Sequence, residues 1–390
     1  RSSDWNVESP PSTVQAKKIS FAVNEGTWLS LDVAPDGKHI IFDLLGDLYV
    51  LPITGGEARK LTSGVSWDIQ PKYSPDGEHI VFISDRKGGD NIWLLEIASG
   101  ELRQITDESF RLLNNPSWNP DGLSIVAKKH FTTSRSLGTG EIWLYDAFGN
   151  QPQIGQKIVA RINDKFQKEL GEPRFSSDGQ KLFYTKNVTQ GNTFIYHEDS
   201  NGELFNIMEL DMASGKTRTA AGGVGGAVRP VPSPDGKFLA YVKRVRTESK
   251  LFITKLETGE NQMVFDALDP DMQETWGVYG LYPDFSWTPD SKNLVFWAKG
   301  KIWNLALEAL SLSEIPFSVN DSRLIYPSTR HLVPVFREAD QTKMIRFASR
   351  SPSKDAVVFE TLGRLFIKWD NKTAVPLTSG AKDNHDYHPV

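Results

Sequence analysis

A four-residue turn signature recurs seven times along this chain of 390 residues. It appears as Ala34-Pro35-Asp36-Gly37, Ser74-Pro75-Asp76-Gly77, Asn119-Pro120-Asp121-Gly122, Ser176-Ser177-Asp178-Gly179, Ser233-Pro234-Asp235-Gly236, Thr288-Pro289-Asp290-Ser291 and, degraded, Ser351-Pro352-Ser353-Lys354. The copies start 40, 45, 57, 57, 55 and 63 residues apart, so one structural unit repeats almost from end to end. Proline presets the second turn position, Asp can bond its own main chain, and Gly accepts positive φ. Each copy therefore reads as a hairpin turn, and the row of Asp residues needs no catalytic explanation.

The segments around each turn alternate like strands. His79 to Ile83, Phe238 to Val242 and Leu294 to Trp297 follow the turn and are rich in β-branched and aromatic residues. A third run is centred on a large side chain, as in Leu48-Tyr49-Val50, Ile92-Trp93-Leu94, Ile142-Trp143-Leu144 and Ile302-Trp303-Asn304. A second turn then leads to a fourth run such as Leu102 to Thr106 or Arg59 to Thr62. Four antiparallel strands per repeat predict an all-β fold, a seven-bladed β-propeller, with an eighth, incomplete blade as the alternative count. The 22 prolines and 31 glycines interrupt any sustained helical period, and the best helical candidate, Ile302 to Leu312, starts on a repeat strand.

The repeat fills the chain so evenly that one domain over residues 17–390 is expected, preceded by an extended arm at residues 1–16. Lys17 to Val23 matches a fourth strand with no blade of its own. Such a strand can complete the blade formed by the C-terminal end and so remove exposed sheet edges. At the other end, Asp383 to Val390 resembles the entry to a first strand and then stops. With Arg rather than Met at position 1, this suggests a stretch cut from a longer precursor, its secretory leader removed.

Composition excludes several chemistries. With no cysteine there is no disulfide, thiolate zinc site or cysteine nucleophile. A net charge of −5 and the lack of a long apolar run argue against nucleic-acid binding and against a membrane span. There is no Gly-x-Ser-x-Gly elbow, no His-x-His, no His-Glu-x-x-His and no phosphate loop. His385 and His388, with Asp383 and Asp386, form the densest ligand-type cluster, but a solvated terminal segment explains them as well. No catalytic residue, cofactor or metal is assigned.

Candidate ligand-binding residues lie where one blade's fourth strand passes to the next blade's first strand, because those connections open at one mouth of a propeller channel. They are Trp28, Trp67, Asp68, Asn114, Asn115, Glu172, Arg229, Trp276, Tyr282 and Asp284. Their nonrepeating mixture of aromatic and polar types suits a recognition surface.

The cycle Tyr73 to Phe82, then Ser84 to Trp93, then Gly100 and Leu102 to Thr106, closely resembles the WD40-like repeat of TolB-type propellers, found also in tricorn-like and prolyl-oligopeptidase-like peptidases. Ile19 to Gly64, with Leu45-Gly46-Asp47-Leu48-Tyr49 and Pro52 to Ala58, is similar more narrowly to the propeller that precedes the metal-dependent hydrolase domain of bacterial amidohydrolase-related proteins. The resemblance implies a noncatalytic binding or scaffold propeller in a periplasmic or secreted bacterial protein. Its partner would be a protein, a peptide or an adjacent hydrolase domain. The rival reading is a stand-alone propeller enzyme, a lyase or glycoside hydrolase, with carboxylates or a metal inside the channel.

Overall fold

Each turn tetrapeptide is locked by its own side chains. In the second copy the Ser74 hydroxyl donates to Asp76 at 2.5 Å, the Glu78 N–H donates to the same carboxylate at 2.9 Å, and Gly77 N–H closes the turn on the Ser74 carbonyl at 2.9 Å. Asp36, Asp121, Asp178, Asp235 and Asp290 accept in the same way from the N–H two residues on. Hydroxyl and then backbone donors hold the carboxyls of Asp76, Asp178 and Asp290 below the ordinary carboxylate range. Where glycine is missing, Ser291 and Lys354 adopt its left-handed conformation at φ 60° and 62°. The degraded seventh copy therefore still makes its turn, with Lys354 N–H on the Ser351 carbonyl at 2.9 Å.

The computed structural model describes residues 7–9, 15–134, 137–150, 152–327, 333, 341–378 and 385–389. Most of the expected arm at 1–16 lies outside them, as does Asp383. Among the described residues there is no helix, and the helical candidate is the strand pair Lys301–Ala306 and Ser311–Ile315. Seven four-stranded sheets are present among the described residues, one for each copy of the turn. Blade 1 is built from Leu31–Val33, His39–Leu44, Asp47–Pro52 and Arg59–Lys60, and blade 2 from Asp68–Tyr73, His79–Ser84, Asn91–Glu96 and Leu102–Gln104. The later blades repeat this order, so the fold is a β-propeller of antiparallel four-stranded blades.

Two compact units are described separately, residues 1–327 and 328–390. Blades 1 to 6 belong to the first. There each first strand leans on the next blade, and the circuit returns on itself: Trp287 Nε1 donates to the Val231 carbonyl between blades 5 and 6, and Leu31 N–H donates to the Asp284 carbonyl between blades 1 and 6. The second unit holds the seventh sheet, from Arg346–Arg350 to Val375–Pro376.

Lys17–Val23 is a clasp strand, but its partner differs from expectation. It pairs antiparallel over its whole length with Phe317–Ile325, directly after blade 6, rather than with a C-terminal blade. Phe317–Ile325 is bonded on its other edge to Gly56–Glu57. Asp321 accepts from Tyr49 Oη and Lys60 Nζ, both at 2.7 Å, and Phe317 packs on Phe42 at 5.3 Å between ring centroids. This ribbon covers the side of blade 1.

Candidate functional site

Four residues before the turns of blades 2 to 5, the innermost strand makes the same local departure. Gln70, Asn115, Glu172 and Arg229 have φ of 57°, 52°, 54° and 56°, each precedes a proline, and the strand register shifts at each. A left-handed L-residue costs roughly 1–2 kcal/mol, so four aligned bulges mark a position the fold holds against strain. Three of these bulges turn their N–H toward the preceding blade. Gln70 N–H donates to Asp43 Oδ2 at 2.8 Å, Asn115 N–H to Gln70 Oε1 at 2.7 Å, and Arg229 N–H to Glu172 Oε2 at 2.7 Å.

Inside this ring lies a compensated ionic network. Arg229 pairs with Glu172 at 3.0 Å and reaches within 4.0 Å of Asp284, Lys72 pairs with Asp284 at 3.1 Å and Asp32 at 3.3 Å, and Arg174 binds Asp284 directly. Glu172, Arg229, Lys72, Arg174 and Asp284 are all buried. Burial lowers Lys72 to about 7 and Arg174 to about 9, even though acidic partners stand beside them.

The segment between blades 5 and 6 crosses over this network. The Tyr279 carbonyl accepts from Gln70 Nε2 at 2.6 Å and Asn115 Nδ2 at 3.1 Å, and the Val278 carbonyl accepts from Lys128 Nζ at 2.6 Å. Leu281 N–H donates to Glu172 at 2.7 Å, and Arg229 Nε donates to the Tyr282 carbonyl at 2.8 Å. Gly280 sits at φ 115° against the Arg229 guanidinium and Glu172, where a β-carbon has no room.

Beside the crossing segment a cleft of about 660 Å³ opens, walled by Trp28, Trp67, Trp276 and Tyr279, with Leu45 and Gly46 at its edge and Asp43 and Asp90 in its lining. Trp28 is half-buried and packs on Tyr282 and Trp297 at 5.8 and 6.3 Å, while Trp67 is 53% exposed. Trp276 meets the His130 ring edge-on at 5.4 Å. Tyr279 Oη donates to Asp90 at 2.5 Å. Burial raises the Asp43 carboxyl to about 7 against the pull of two backbone N–H donors, Gln70 and Ser30.

The ten expected positions thus fall into three groups. Trp28, Trp67 and Trp276 line the cleft, with Tyr282 packed beneath Trp28. Asn115, Glu172, Arg229 and Asp284 belong to the sealed channel network. Asp68 and Asn114 stand apart: Asp68 is buried against Arg86 and Ser84, and the Asn114 amide is buried with no hydrogen bond among the described residues. Sequence reasoning missed Gln70, although it stands four residues before its turn like Asn115, Glu172, Arg229 and Asp284. Tyr279, Asp43 and Asp90 carried no repeat signal that could have found them.

The family described as the TolB beta propeller domain, PD40, matches residues 13–143. The Tol-Pal system protein TolB of Helicobacter hepaticus is 26% identical over 167 residues, which cover 42% of this chain and 38% of the relative. The crystal structure of TolB from Acinetobacter baumannii superposes with a TM-score of 0.55 at 16% identity, covering 75% of this chain and 65% of that one. The fold is a TolB-like propeller. An uncharacterized peptidase of Bacillus subtilis is also related, at 25% identity over 191 residues, 40% of this chain and 29% of the peptidase. The chain spans well under two thirds of these curated relatives' lengths.

Proposed function

We propose that this TolB-like propeller is a non-catalytic recognition module that receives a protein or peptide partner at the cleft walled by Trp28, Trp67 and Trp276. The observation that carries this reading is the exposure of Trp67, 53%, at the edge of an aromatic cleft beside a channel whose ionic groups are already paired. Aromatic side chains clustered in a concave site are the residues that anchor partners at interfaces. The reading extends to a periplasmic or secreted location and to service beside a hydrolase domain of amidohydrolase-like type, as the resemblance of Ile19 to Gly64 implies. Trp67→Ala is expected to weaken capture of the native partner by about tenfold or more, with the thermal midpoint unchanged. Full-strength capture by that variant would contradict the proposal.

One observation favours the enzymatic reading. Asp32, Glu172 and Asp284 come from three blades and meet, with Gln70, around the channel. General acid and base work needs carboxyls free to exchange protons, whereas here Lys72, Arg174 and Arg229 occupy them. Turnover of an acidic oligosaccharide that Glu172→Gln abolishes would restore the lyase or glycosidase reading.

A further inference from the structure

The cleft is electrostatically unlike the rest of the propeller. Apart from Asp43, every carboxylate buried among the described residues of 1–327 stands in an ion pair, for example Asp47 with Lys60, Asp68 with Arg86 and Asp271 with Arg244. Asp43 and Asp90 line the cleft and make no ion pair among the described residues. Among the described residues no lysine or arginine lines it. Asp85 adds a third carboxylate at the edge, accepting the Trp67 N–H at 2.8 Å, and its charge adds to burial in raising the Asp90 carboxyl above the ordinary carboxylate range. Asp90 and Asp85 thus stand among aromatic faces with no cationic partner among the described residues.

That combination has one complementary chemistry. An ammonium or guanidinium is attracted both to carboxylates and to the faces of Trp and Tyr rings, and its methylene stem covers apolar wall while the charge stays at the polar end. A neutral apolar group would fill the same volume but leave the carboxylates unneutralised, and an anion would be repelled.

We propose that the cleft takes a basic side chain of the partner polypeptide, its cation facing Asp90 and Asp85 and its stem lying along Trp28, Trp67 and Trp276. This rests on the reading of the cleft as a partner site and names the group recognised there. The partner is thereby a polypeptide that presents a lysine or arginine in an accessible, extended stretch.

The test compares two pools of end-capped random hexapeptides that differ only in one fixed central residue, arginine or its neutral isostere citrulline, titrated calorimetrically into the full chain. The arginine pool is expected to bind about tenfold more tightly at low salt. Asp90→Asn should shrink that ratio to about twofold or less while leaving citrulline binding as it was, and Asp85→Asn should do the same if Asp90→Asn impairs folding. Equal binding of the two pools overturns the inference and leaves partner binding standing. Failure of both pools to bind overturns the two together. Discrimination that survives both substitutions places the cation elsewhere and also overturns the inference.

Discussion

Glu172 and Arg229, from neighbouring blades, hold each other twice: Oε1 of Glu172 lies 3.0 Å from the Arg229 guanidinium, while Oε2 accepts the Arg229 backbone N–H at 2.7 Å. Glu172 also accepts from Leu281 N–H and Thr185 Oγ1, so one carboxylate ties blade 4 to blade 5 and to the crossing segment. Removing one partner of a buried pair leaves the other charge uncompensated, at a cost of roughly 3–5 kcal/mol. Glu172→Gln is expected to lose about that much in urea unfolding. The exposed Arg218, paired with Glu209 at 2.7 Å, serves as the comparison, since Arg218→Ala should cost less than about 1 kcal/mol. Similar costs for the two would show that the channel network does not bind the blades together.

Gly46 underlies the Trp67 indole. At φ 80° it adopts a conformation that disfavours a side chain, and a β-carbon there collides with the ring. Gly46→Ala is expected to expel Trp67 from the cleft wall, lower the thermal stability by roughly 1–2 kcal/mol for the left-handed backbone, and weaken partner binding as Trp67→Ala does. Binding at wild-type strength would mean that the position of Trp67 does not matter.

Asp43 sets a pH dependence with a definite sign. Its carboxyl is raised to about 7 in the fold from 3.8 in the unfolded chain, so the folded state binds the extra proton between about pH 4 and 7. Stability contributed by this group is full below pH 4 and is lost as pH rises to 7. Relative to Asp43→Asn, which does not titrate, the wild-type unfolding free energy should fall by a few kcal/mol across that interval. A flat difference, or one of opposite slope, would show that Asp43 is ionised throughout.

Lys354 occupies the place that glycine holds in five of the other turns, at φ 62°. Its carbonyl accepts from Arg350 and its N–H closes the turn, and both are backbone groups that a glycine retains. Lys354→Gly is therefore expected to stabilise the 328–390 unit by about 1 kcal/mol, seen as slower amide exchange in Ala356–Thr361. Faster exchange would show that the lysine side chain is needed there.

The turns and strands were legible because their causes are local. Ser74, Asp76 and Gly77 bond among themselves, and the seven copies correctly count seven four-stranded sheets. The clasp was legible only in part. Lys17–Val23 is an edge strand as its pattern implied, yet the choice of Phe317–Ile325 as partner depends on contacts of Asp321 with Tyr49 and Lys60 that lie some 260 to 270 residues away in sequence. The candidate site divides the same way. Connection residues such as Trp28, Trp67 and Trp276 announced themselves as unrepeated aromatics, whereas Asp43 lies within a regular strand, His39–Leu44, and only its neighbours reveal it as a cleft carboxylate. Glu172 and Arg229 looked like recognition groups because sequence does not show that they neutralise each other.

The central claim is that a partner docks at the aromatic cleft, and site-specific photo-crosslinking tests it most directly. A photoreactive phenylalanine replaces Leu45, 49% exposed at the cleft edge, or Ile154, 79% exposed beside blade 3, and the protein is irradiated in its native cells. The account predicts a discrete polypeptide adduct from position 45, lost when Trp67→Ala is added, and none from position 154. No adduct at 45, or the same adduct from both positions, would contradict it.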